Sequence, residues 1–60
     1  MKAIYILKNF KRIFPFYASG EVEDLGYNTI RITNQKTIMV FEYHSDDAYY
    51  LQIFPNPDAK

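Results

Sequence analysis

The sequence predicts an α+β fold: an N-terminal amphipathic helix packed on a three-stranded antiparallel β-meander, with a short extra strand or a helical turn at residues 20–25. Three observations carry this. Ala3, Ile6, Leu7, Phe10, Ile13 and Phe14 recur at helical spacing. Three later runs are rich in β-branched and aromatic residues, with polar turn residues between them. The middle run, Lys36 to His44, has such residues on both faces, as a strand with neighbours on each side does.

The helix is read over residues 2–14. At 100° per residue its six apolar positions span an arc of about 120°, an ordinary buried stripe. Lys8, Lys11 and Arg12 project from the other side. Pro15 ends it, because the residue before a proline avoids the α region. A strand over Ala3–Leu7 competes, since Ile-Tyr-Ile favours β structure, but strict alternation fails there.

Residues 15–27 are a connector. Within it Ser19 suits the cap of a helical turn, with Gly26 at the left-handed position that closes one. A short edge strand from Glu21 to Leu25 fits the same residues. The meander spans residues 28–54. Asn28–Thr33 alternates apolar and polar residues, Asn34-Gln35-Lys36 is a hairpin loop, and Thr37–Tyr43 is the central strand. His44-Ser45-Asp46-Asp47 is the second turn, and Ala48–Phe54 the third strand. Pro55 and Pro57 stop that strand and leave residues 55–60 as a frayed tail.

Two registers follow. Pairing Thr33 with Thr37 places Ile30 opposite Val40 and Ile32 opposite Ile38. Pairing Tyr43 with Tyr49 places Phe41 opposite Leu51 and Met39 opposite Ile53. Together they put Ile30, Ile32, Ile38, Val40, Tyr50 and Phe54 on one face, and Tyr27, Met39, Phe41, Tyr43, Tyr49, Leu51 and Ile53 on the other. One helix covers one face, so the second is expected to meet another protein or a second copy. The seven residues from Tyr27 to Ile53 are the expected protein interface.

Sixty residues form one domain. A chain of this size buries only about 60% of its unfolded surface. Without cysteine it has no disulfide or thiolate metal site, so packing, aided by an aromatic content of 18%, must hold it together. The apolar run at Ala3–Leu7 is too short for a signal-peptide core or a membrane span, and the chain is read as cytoplasmic with no membrane role. Net charge is zero but uneven. Lys2, Lys8, Lys11 and Arg12 give +4 over the first fourteen residues, and the remainder carries −4.

No catalytic, metal or cofactor motif emerges. His44, Ser45, Asp46 and Asp47 are adjacent in a turn and point apart, whereas a catalytic triad is a spatial arrangement. Glu42, His44, Asp46 and Asp47 offer one histidine and no cysteine, which excludes the usual structural zinc sets, and they lack the central glycine of a calcium loop. Gly20 and Gly26 are too far apart for a phosphate loop. Glu21, Glu23 and Asp24 read as a solvated acidic loop. The expected function is therefore a small non-enzymatic protein–protein interaction module, a self-associating regulator, inhibitor or subunit. The alternative is nucleic-acid binding, through Lys8, Lys11 and Arg12 or through the aromatic sheet face.

Overall fold

The computed structural model describes residues 2–59. A helix, α1 (Lys2–Ile13), is followed by four strands: β1 (Glu21–Gly26), β2 (Thr29–Thr33), β3 (Thr37–Ser45) and β4 (Ala48–Pro55). They form one antiparallel sheet in the order β1-β2-β3-β4, and α1 packs against β1, β2 and β3. The acidic segment around residues 20–25 is thus the extra strand, extending the meander by one edge.

α1 buries Ile6 and Phe10, with Ala3, Leu7, Ile13 and Phe14 packed at the margin of the core. The last helical hydrogen bond runs from Phe14 N to Phe10 O at 2.8 Å, so Phe14 closes the helix one residue beyond its regular part, as Pro15 requires. Lys11 and Arg12 occupy the last turn, where positive charge complements the helix dipole. Asn9 is a buried polar residue with its needs met: Nδ2 donates to Tyr5 O at 3.0 Å and Oδ1 accepts from Arg12 at 2.7 Å.

The core lies between α1 and the sheet face bearing Ile30, Ile32, Met39, Phe41 and Tyr43. Phe41 is its centre, with the rings of Phe10, Phe14, Tyr43 and Tyr49 at centroid distances of 5.4, 6.0, 5.9 and 6.0 Å. Edge-to-face and offset contacts of this kind add to simple area burial. Phe14 also stacks on Tyr17 at 5.3 Å, which folds the start of the connector back onto the core.

The β3–β4 register is the expected one, with Tyr43 opposite Tyr49, Phe41 opposite Leu51 and Met39 opposite Ile53. The β2–β3 register is not. Thr33 pairs with Ile38, Ile32 with Met39 and Ile30 with Phe41, one residue away from the expected alignment. Asn34 is the cause. Its Oδ1 accepts from Lys36 N (2.9 Å), Thr37 N (2.8 Å) and Thr37 Oγ1 (3.1 Å), while Asn34 N donates to Thr37 O (3.0 Å). The side chain thereby closes a four-residue turn, Asn34–Thr37, so that Thr33 pairs with Ile38 and not with Thr37. Because side chains alternate, the one-residue slip carries Ile30 and Ile32 onto the helix-covered face.

Two further local features depart from the expectations. Residues 55–59 are not frayed: Pro55 belongs to β4, Asn56 N donates to Lys36 O (2.9 Å), and Asn56 Nδ2 donates to Asn34 O (2.8 Å). Lys60 lies outside the described residues. The β1–β2 turn is Tyr27-Asn28, with φ of 52° and 57°, following Gly26 at φ 80°. Two successive positive φ values give the turn the twist a two-residue hairpin favours. At Gly20 no side chain fits, because a Cβ there would lie 2.1 Å from Thr33 O.

Candidate functional site

The sheet face away from α1 has no helix packed over it among the described residues. Strand alternation and register order its residues in rows. One row runs Glu21, Thr33, Ile38, Phe54; the next Glu23, Arg31, Val40, Gln52; the third Thr29, Glu42, Tyr50. The β3–β4 half carries four apolar residues, with Ile38 and Val40 half-buried, Tyr50 64% exposed and Phe54 47% exposed, and Gln52 and Glu42 stand beside Val40 and Tyr50. The β1–β2 half is polar, and Arg31 pairs with Glu23 across it. Glu42 borders the apolar residues on β3, and Glu21 and Glu23 lie beyond β2 on the far edge.

One end of this face is organised by His44. Its Nε2 lies 2.5 Å from Glu42 Oε2 and its Nδ1 3.2 Å from Asn28 Nδ2, and Tyr27 packs edge-on against the ring at 5.8 Å. These contacts join the tip of the β1–β2 hairpin to β3. A second network ties the helix end to the β3–β4 turn. Asp46 Oδ1 accepts from the Tyr43 hydroxyl at 2.6 Å and from Arg12 Nη2 at 2.5 Å. The Tyr43 hydrogen bond, then that of Arg12, holds the Asp46 carboxyl below the usual carboxylate range. The hydrogen bond to Asp46 in turn raises the Tyr43 hydroxyl and the Arg12 guanidinium above their ordinary values.

The turn residues weighed for chemistry are dispersed by this arrangement. His44 faces Glu42, Asp46 faces Arg12 and Tyr43, and Ser45 Oγ accepts from Asp47 N at 3.3 Å. Among the described residues no group of three or more His, Asp or Glu side chains converges as a metal site. No helix among them is long and apolar enough to cross a membrane.

Of the seven residues expected at a protein interface, Met39, Phe41 and Tyr43 are buried beneath α1, and Tyr49 and Leu51 pack half-buried against them. Ile53 and Tyr27 are exposed, Ile53 on the helix side of β4 and Tyr27 at the hairpin tip. Of the basic trio, Lys8 and Lys11 are exposed, but Arg12 is engaged by Asp46 and Asn9. The open face instead brings together Ile38, Val40, Tyr50 and Phe54. The two-residue spacing within β3 and β4 already placed these four side by side; joining Ile30 and Ile32 to them was the register error. Comparison with family models, with curated proteins and with solved structures finds no match for this chain.

Proposed function

We propose that this chain is a small non-enzymatic protein-binding module, a regulator, inhibitor or subunit that docks a partner protein on its open sheet face. The observation that supports it is the asymmetry of the sheet. α1 covers one face, while Ile38, Val40, Tyr50 and Phe54 form an uncovered apolar band on the other. Aromatic residues in an apolar centre with a charged margin are the usual anatomy of an interface core and rim. Glu21, Glu23 and Glu42 outnumber Arg31 on this face, so the partner presents an apolar patch with a basic margin.

The test compares partners retained from the native host by the parent, by Val40→Lys with Phe54→Lys, and by Lys8→Gln with Lys11→Gln. A protein kept by the parent and the helix variant, lost by the sheet variant and weakened by salt is the expected result. Partners indifferent to the sheet variant overturn the reading. Nucleic-acid binding ranks second because the Asp46 pairing leaves Lys8 and Lys11 without Arg12. A mobility shift with DNA or RNA at low salt that Lys8→Gln with Lys11→Gln abolishes would put it first.

A further inference from the structure

The two edges of the sheet are unlike. β1 carries Glu21, Glu23 and Asp24 and is interrupted by a register shift between Asp24 and Gly26. Charges and bulges are how edge strands resist pairing with other strands. β4 carries neither device along most of its length. From Ala48 to Pro57 there is no charged residue, and Tyr50, Ile53 and Phe54 are substantially exposed.

The register shows which main-chain groups β4 offers. Asn56 N donates to Lys36 O, so Lys36 and Asn56 form a hydrogen-bonded pair in continuation of the β3–β4 ladder. Hydrogen-bonded and non-hydrogen-bonded pairs alternate along an antiparallel ladder. The main-chain groups of Tyr50, Gln52 and Phe54 therefore face β3, and those of Tyr49, Leu51 and Ile53 face outward. Pro55 falls in the outward set, which is why a proline is accommodated inside this strand. Its ring occupies the edge where an N–H would stand, and it limits outward pairing to the stretch before it.

We propose that β4 is a dimerisation edge: two copies of this chain pair their β4 strands antiparallel about a two-fold axis at Leu51, extending the four-stranded sheet to eight strands. This alignment uses the outward groups of Tyr49, Leu51 and Ile53 and keeps both Pro55 rings out of the pairing. It sets Tyr49 opposite Ile53 of the second copy and Tyr50 opposite its Gln52. Ile53, 46% exposed at the margin of the helix-covered face, gains an aromatic neighbour. No like charges meet. The same operation on β1 would bring Glu21, Glu23 and Asp24 of two copies together. The contact is isologous and closes at two copies. Both helices lie on one side, and the open faces join into one continuous surface.

Sedimentation of the full chain over a range of concentrations tests this, alongside amide exchange. The parent should pass from 7.1 kDa to twice that mass as concentration rises, with protection of the Tyr49, Leu51 and Ile53 amides growing in step. Tyr50→Lys with Gln52→Lys sets lysines opposite lysines across the axis, and Tyr50→Glu with Gln52→Glu sets acids opposite acids. Both positions are exposed, so each variant folds and each should sediment as a monomer. Their equimolar mixture should restore the dimer, which a merely misfolded variant would not do. A parent that stays monomeric at millimolar concentration overturns the proposal. So does a dimer indifferent to both variants, or open-ended polymers, which would signal β1-to-β4 pairing.

Discussion

Phe41→Ala is the sharpest probe of how this chain holds together. The Phe41 side chain is fully buried, and four aromatic rings stand within 6.0 Å of its centroid. Truncating a buried phenylalanine removes its transfer free energy and leaves a cavity, about 3–5 kcal/mol together. Each aromatic pair is worth about 0.5–1.5 kcal/mol beyond area, so the loss belongs at the upper end of that range. A chain of sixty residues has a total stability of about 3–9 kcal/mol. The substitution therefore removes half or more of it. Val40, the preceding residue, points to the open face and is only half-buried. Val40→Ala deletes two half-covered methyl groups, a cost of about 1 kcal/mol.

Urea unfolding followed by far-UV circular dichroism gives both values, since neither substitution should change the slope of stability against denaturant. If Phe41→Ala is unfolded in water, Phe41→Leu, which keeps most of the volume, should remain folded at a cost of about 1–2 kcal/mol. A Phe41→Ala chain within about 1 kcal/mol of the parent refutes the reasoning. So does a Val40→Ala chain that loses more than Phe41→Ala, because it would place the helix on the other face of the sheet.

Two further outcomes follow from the hydrogen bonds and the turn. Asp46 binds its proton more weakly folded than unfolded, so its contribution to stability is complete above the ordinary carboxylate range and is lost as pH falls below about 4. Thermal melts of Asp46→Asn should accordingly fall less steeply with acid than those of the parent; parallel curves would contradict the network. Tyr43 has the opposite sign, its hydroxyl raised by Asp46, so its contribution is present below about pH 10 and is lost above it in the parent. Tyr27 is 82% exposed and sits at φ 52°, a conformation that costs most side chains about 1–2 kcal/mol. Tyr27→Asn should raise stability by about 0.5–1 kcal/mol, and a fall in urea midpoint would show that the edge contact with His44 outweighs the strain.

The helix and the β3–β4 hairpin were legible because both are written in apolar periodicity that packing then rewards. The stripe from Ala3 to Phe14 needs a sheet, and Phe41, Tyr43, Tyr49 and Leu51 form one face in a single register. The segment at residues 20–25 stayed open between strand and helical turn because Gly26 serves either. What decides it is the left-handed pair Tyr27-Asn28, and nothing in the tyrosine announces that conformation. The β2–β3 register was hidden for a different reason. A three-residue loop and a four-residue loop both fit Asn34 to Thr37, and the choice rests on one carboxamide oxygen gathering three donors. That local choice has the largest consequence in the molecule. It moves Ile30 and Ile32 beneath α1, gives the helix a complete apolar face to cover, and leaves Thr29, Arg31 and Thr33 in their place outside. The uncovered face is therefore not a second core awaiting another core. It is an apolar band on β3 and β4 beside a polar half that carries Glu21, Glu23 and Arg31.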